Sequence, residues 1–180
     1  IAWAKANPGK LTYGSNGEGG FPHLWFEDLA KQAGIKFTFI PYKGAAQVAT
    51  DLISGQIMVA GDGVSAMVPY LNANQMKLLG VTSETRTAQF PDAPAIAEVL
   101  PGFTATGEFG YVGPAKMQAE HVRILNKAIN DALLSAEVKA RLPGLGLTAV
   151  TEPPEYFEQV FKTQYERFGN IIKAIGYQPK

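Results

Sequence analysis

Residues 13–20 read Tyr-Gly-Ser-Asn-Gly-Glu-Gly-Gly, and this run offers the clearest chemistry in the chain. Glycines let the backbone adopt positive φ and approach a ligand with no Cβ between them. Between a strand and a helix, such a turn brings the unpaired first N–H groups of the helix, and the positive end of its dipole, to one place. One such interaction is worth ~0.3–1 kcal/mol when exposed and up to ~2 kcal/mol when partly buried. Useful affinity therefore needs several N–H bonds at once. Ser15, Asn16, Gly17, Gly19 and Gly20 are the candidates for an anion-binding turn. A plain strand-to-helix connection without a ligand fits the same spacing.

Other chemistries fit less well. The glycine spacing only approximates Gly-x-Gly-x-x-Gly, and the second apolar run ends in Ile40-Pro41-Tyr42-Lys43 where dinucleotide binding wants an acid. The phosphate loop ending in Gly-Lys-Ser/Thr is absent. Ser15 and His23 stand too close in sequence to imply a catalytic triad, and Asp62 as its third member has no spacing to support it. His23 reads more simply as a group bonding the turn, and His121 as a solvated helix residue. Two histidines and Asp62 lack metal-ligand spacing. Asp62 also suits the cap of the helix that follows it. No catalytic residue, metal or cofactor is expected.

The elements that must place these residues alternate between short apolar runs and helical segments, which favours α/β. Lys10–Tyr13 reads as a strand, and a helix begins near Phe21 with Pro22 in its first turn and Gly34 as its stop. Lys36–Ile40 and Ile57–Ala60 are further strands, each leading through small residues into a helix, one running to Ile53 and one spanning Val64–Leu71. A buried strand is expected at Lys77–Val81, a short helix at Ala95–Leu100 and a long extended stretch at Phe103–Val112. Helices follow around Val122–Leu133 and Ala136–Leu142, a short strand at Leu147–Val150, and a long final helix carrying Phe157, Phe161, Tyr165, Phe168 and Ile172 on one face. Ligands of open α/β sheets sit beyond the carboxyl ends of the strands, where these turns collect.

Composition restricts the partners. The chain has 180 residues, 46% apolar and 18% charged, as ordinary globular proteins have. Lys+Arg and Asp+Glu each number 16, so the net charge is zero, which argues against nucleic acid or an anionic membrane as partner. Any anion must be recognised locally. There is no cysteine, which removes disulfides and thiolate metal sites. No apolar run approaches the ~20 residues of a membrane span. The opening Ile1–Ala6 reads as the tail of a helix closed by Asn7-Pro8-Gly9, as if the chain began within a larger protein.

Taken in order, these segments resemble the substrate-binding proteins of tripartite tricarboxylate transporters, the TctC or Bug family. The resemblance runs from Ala6-Asn7-Pro8-Gly9-Lys10-Leu11-Thr12-Tyr13 through Ser15-x-Gly17-x-Gly19 and His23-Leu24 to Ile40-Pro41-Tyr42-Lys43-Gly44. It continues with Asp51-Leu52-Ile53-Ser54-Gly55-Gln56, Leu79-Gly80-Val81-Thr82-Ser83, Phe90-Pro91-Asp92-Ala93-Pro94, Leu100-Pro101-Gly102-Phe103, Phe109-Gly110 and Gly113-Pro114. It implies a periplasmic-binding-protein-like fold of type II, with two α/β domains closing on a small carboxylate that is delivered to membrane permease subunits. On this reading residues 1–104 are the second lobe, and 105–180 are a crossover strand and helices returning toward a first lobe absent from this sequence. The exposed apolar surface that results leaves dimerisation or segment exchange open. A sensory module of the same fold is the alternative.

The expected ligand set is the turn Ser15, Asn16, Gly17, Gly19 and Gly20, then Gly44 and Ala45 at the second helix start, and Asp62, Gly63 and Ser65 at the third. Phe21 and Tyr42 would be walls and His23 the support of the first turn. Gly20, Phe21 and Pro22 replace the Ser or Thr common in the family, shifting the work to main-chain N–H groups. Glu108 stands where the family usually has an aromatic residue; an acid there repels a second carboxylate or attracts an amine.

Overall fold

The computed structural model describes residues 1–178. The chain divides into two compact units, residues 1–107 together with those from Asn170 on, and Glu108–Gly169.

The first unit is built on a parallel sheet of β1 (Leu11–Asn16), β2 (Phe37–Tyr42) and β3 (Val59–Ala60), in the order β2-β1-β3. Tyr13 pairs with Phe39 on one side and Val59 on the other, and Gly14 with Ile40 and Ala60. Helices α1 (Ala2–Ala6), α2 (Phe21–Ala33), α3 (Ala45–Ile53) and α4 (Val64–Asn72) surround it. The last three each follow a strand. The stop of α2 is a Schellman motif: Gly34 takes φ +64°, and the N–H groups of Gly34 and Ile35 donate to Lys31 O and Ala30 O.

Tyr13 is the centre of the core. It is fully buried, stacks on Phe26 at 3.7 Å between centroids, and meets Trp25 and Phe37 edge-on at 6.1 and 5.9 Å. Such ring pairs add ~0.5–1.5 kcal/mol beyond the area they bury. The phenol donates to Pro22 O at 2.6 Å, which ties the middle of β1 to the first turn of α2. Phe103 and Ala105 close the same cluster. A second cluster holds Tyr42, Val48 and Ile57. Burial, reinforced by the Asp51 carboxylate to which the phenol donates a hydrogen bond at 2.8 Å, pushes the Tyr42 phenol up to about 12.

Beyond α4, four expectations change. Lys77–Val81 is not a strand: pairing is confined to a parallel bridge between Val81 and Ala95, with Val81 N–H on Pro94 O and Ile96 N–H on Val81 O. Pro94 has no N–H with which to extend it. The helix expected at Ala95–Leu100 is one 3-10 turn, Ile96–Glu98. Glu98 accepts from the Ala95 N–H at 2.9 Å and from Arg86 Nε and Nη2 at 2.8 Å each, so the polar stretch 82–100 is stapled by a two-pronged ion pair. Phe103–Val112 forms no strand among the described residues, and Phe109, Tyr111 and Val112 are more than 80% exposed. Leu147–Val150 is not a strand either, because the Leu147 N–H turns back onto Leu142 O.

The second unit consists of α5 (Ala119–Leu134), α6 (Ala136–Arg141) and the greater part of α7 (Pro154–Ile175), whose last residues lie in the first unit. Asn126 and Asn130 both donate to Glu152 O, at 3.0 and 3.2 Å, fixing α5 to the entry of α7. Its apolar residues stay largely uncovered: no residue of α5 is buried, and Tyr165 on α7 is 76% exposed. No helix among the described residues is long and apolar enough to cross a membrane.

Two outcomes follow from this packing. A Cβ at Gly61 would lie 2.7 Å from Tyr13 Oη and 3.0 Å from Trp25 Cη2, so Gly61→Val should destabilise the first unit by ~1–3 kcal/mol through overpacking, read from urea unfolding midpoints. The Arg86 guanidinium, followed by the Ala95 N–H, holds the Glu98 carboxyl down at about 2. A carboxyl whose folded value is depressed contributes stability above the unfolded range of ~4.3, and loses it as pH falls toward the folded value. Melting temperatures followed from about pH 5 to pH 2 should therefore fall more steeply for the wild type than for Glu98→Gln; parallel curves would show that the pair contributes nothing.

Candidate functional site

Parallel strands all end on one edge of their sheet, and here that edge gathers three turns: residues 17–20 after β1, Lys43-Gly44 after β2, and Gly61-Asp62-Gly63 after β3. Each turn opens a helix, and each N-cap is a glycine: Gly20 for α2, Gly44 for α3, Gly63 for α4. None of the three has a side-chain cap, and none carries an acid in its first turn. A Ser, Asp or Asn cap would supply its own oxygen to the helix start. Glycine supplies none. The starts of α2 and α3 are thus left without a capping oxygen, while at the start of α4 the Asp62 carboxylate takes the Gly63 N–H.

The first turn is more self-contained than its sequence suggests. Gly17 and Gly19 take φ of +82° and +74°, the left-handed conformation glycine tolerates. Their N–H groups are not presented outward: Gly17 donates to Tyr42 O at 2.8 Å and Gly19 to His23 Nδ1 at 3.0 Å. These two glycines shape the turn and join it to its neighbours instead of offering donors. Gly20 is extended and its carbonyl accepts from Leu24 N–H. Asn16 is half-buried at the end of β1, opposite Tyr42.

His23 is 5% exposed. It lies flat on Phe39 at 3.9 Å, accepts from Gly19 through Nδ1, and places Nε2 3.4 Å from Glu27 Oε1. An imidazole accepting at Nδ1 carries its proton on Nε2. Both ring nitrogens are therefore engaged, and neither is left as a base for Ser15. Ser15 is fully buried, and its Oγ meets no partner at hydrogen-bonding distance and angle. Asp62 accepts from Gly63 N–H through one oxygen at 2.7 Å, while its other oxygen is buried without a partner. Burial pushes the Tyr13 phenol far above its ordinary value; the Ser15 hydroxyl beside it opposes the rise through hydrogen bonding and the Asp62 charge adds to it, so Ser15 borders the phenol while the second Asp62 oxygen stays unmatched. Buried polar atoms without partners are uncommon in native proteins and mark places where something else supplies the bond.

The other expected residues separate. Gly44 and Ala45 are half-buried at the start of α3, and Ser65 is exposed on the first turn of α4. Tyr42 is not a wall of the site: its ring is buried under α3 with Val48 and Ile57, and its hydroxyl is committed to Asp51. An alternating strand puts successive side chains on opposite faces, and Tyr42 falls on the covered one. Phe21 packs against the Tyr13 cluster and faces Gly107. A cavity of about 520 Å³ beside the first turn is lined by Glu18, His23, Glu27, Phe39 and Tyr177. Glu18, Glu27 and Tyr177 carry no local motif, and Tyr177 stands 159 positions from Glu18, so nothing in the sequence marks them. Among the described residues no group of three His, Asp or Glu is placed to hold a metal.

The chain is 40% identical over 176 residues to the UPF0065 protein in the gbd 5' region of Cupriavidus necator, covering 98% of this chain and 54% of that protein. Its fold matches that of R. palustris Rpa4515 with adipate at a TM-score of 0.84 and 27% identity, over 99% of this chain and 60% of that one. It matches a TctC solute-binding protein from Polaromonas at 0.81 and 23% identity, over 96% and 59%, a likeness of fold. The chain thus spans about half the length of the curated relatives it matches first. Residues 1–177 match the model of the tripartite tricarboxylate transporter family receptor, TctC, and the chain belongs to that family of solute-binding proteins.

Proposed function

We propose that this chain forms one lobe of a periplasmic solute-binding protein that captures a small carboxylate and hands it to the permease subunits of a tripartite tricarboxylate-type transporter. The observation that carries this reading is the set of three glycine-capped helix starts on one edge of the sheet. They offer an anion partial positive charge, with Lys43 exposed beside the second of them, in a protein whose net charge is zero.

In this reading the carboxylate meets main-chain N–H groups at the starts of α3 and α4, around Gly44, Ala45, Gly63 and Ser65. Ser15 carries a hydroxyl that can donate, Asp62 acts by holding the Gly63 N–H, Asn16, Gly20 and Phe21 border the site, and Gly17, Gly19 and His23 hold its geometry. Residues 1–104 act as one lobe and 105–180 as the segment that crosses toward a second, with the end of α7 from Asn170 packing back in the first unit. The length of the relatives and the uncovered apolar faces of α5 and α7 support this division, since large exposed apolar surface ordinarily belongs to an interface. If produced alone, the chain is expected to cover those faces by dimerisation or segment exchange. Rpa4515, the relative solved with adipate, supplies a chemically suitable probe.

Gly44→Asp separates anion binding from folding. Gly44 is extended, and a Cβ there meets nothing within 4 Å, so the new carboxylate can cap α3 and should leave stability unchanged or raise it by a few tenths of a kcal/mol, ~0.3. The same carboxylate occupies the proposed anion position. Calorimetric titration of the full-length natural protein with adipate should show affinity at least about tenfold weaker in the variant. Undiminished adipate binding by a stably folded Gly44→Asp protein removes the start of α3 from the site.

A further inference from the structure

We infer that Tyr177, at the far end of the chain, is a positioning residue for the glycine turn. The inference rests on the proposal that this turn belongs to the ligand site. Three contacts converge. The Tyr177 ring lies against Gly19 so closely that a Cβ there would be 2.6 to 2.7 Å from Cε1, Cζ and Oη. Its hydroxyl donates to Glu18 O at 3.3 Å. Its ring also meets His23 edge-on, 6.5 Å between centroids and 83° between planes, and His23 is the group that accepts the Gly19 N–H.

The placement of Tyr177 is itself built in. Helix α7 ends in a Schellman motif, with Gly176 at φ +67°, Gly176 N–H on Lys173 O at 3.3 Å and Tyr177 N–H on Ile172 O at 3.1 Å. This fixes the direction in which the chain leaves the helix, and Ile171 one turn earlier is buried in the same unit. The turn is thus held from both sides: His23 takes an N–H from beneath, and Tyr177 takes a carbonyl and covers Gly19 from outside. Two successive residues of a glycine-rich loop, floppy by composition, are fixed by one distant side chain. Gly19 is needed twice over, for its positive φ and for the space the ring occupies.

Amide hydrogen exchange in the full-length protein tests this, with adipate titration as a second reading. In Tyr177→Ala, exchange across Glu18–Gly20 should accelerate by about tenfold or more while the amides of β1 and α3 keep wild-type rates. Adipate affinity should fall, and Tyr177→Phe, which keeps the ring and loses only the hydroxyl, should recover most of it with an intermediate exchange rate. Wild-type exchange at Glu18–Gly20 in Tyr177→Ala overturns the inference, as does acceleration spread equally over the sheet. If the alanine variant does not fold, Tyr177→Phe decides: faster exchange confined to the turn supports the role, and unchanged exchange overturns it. A wild-type protein that ignores adipate counts against the proposed ligand class, while the exchange arm still judges Tyr177.

Discussion

In a parallel sheet every strand delivers its outgoing chain to the same edge, and β1 enforces this by pairing with β2 along its whole length and with β3 at Tyr13 and Gly14. Turns far apart in sequence are thereby delivered to one edge, the first joined to the end of β2 by the Gly17 N–H on Tyr42 O. The Tyr13 phenol completes the arrangement by bonding Pro22 O, which fixes where α2 begins relative to the strand before it. What the site can do follows from this alignment, because helix dipoles act only within about their first turn and add up only when their starts are close.

Such an edge carries a conflict. Main-chain donors that wait for a ligand are costly to bury unsatisfied, ~1–3 kcal/mol each, so the protein satisfies those it can. The Gly17 N–H goes to Tyr42 O and the Gly19 N–H to His23, converting the most glycine-rich turn from a donor cradle into a braced frame. At the start of α4 the Gly63 N–H likewise goes to the Asp62 carboxylate. The orphaned Ser15 Oγ and Asp62 oxygen mark where bracing stops.

Much of this was legible in the sequence and the remainder had physical reasons to be hidden. Gly34 announced the end of α2, and Gly17 and Gly19 the first turn, since these positions take the left-handed backbone that few residue types supply. Small residues after the other two apolar runs announced the second and third turns, although Gly44 and Gly63 take φ values that any residue adopts. Tyr42 misled because a tyrosine beside a turn looks like a wall, while its face on the strand is decided by the register with β1 and by α3 above it. Lys77–Val81 and Leu147–Val150 looked like strands by composition, but a strand exists only with a neighbour, and Pro94 and Leu142 determine the pairing instead. Tyr177 had no local signal at all. Its role depends on α7 returning to the first unit.

On the proposed reading, the absence of an arginine from these three turns, where the only cationic side chain is the exposed Lys43, bears on how a solute would be released. An arginine clamp holds a carboxylate by charge-assisted bonds of ~1.5–3 kcal/mol each, in a geometry that does not relax easily. Helix starts hold it by several weaker bonds, each lost steeply with distance, so a small separation of the groups that enclose a ligand weakens all of them together. Glu18 and Glu27, lining the cavity beside the first turn, add negative charge near the site without entering it. A carrier that must both collect a dilute acid and surrender it gains from such a site, because affinity then depends on enclosure and falls when enclosure is undone.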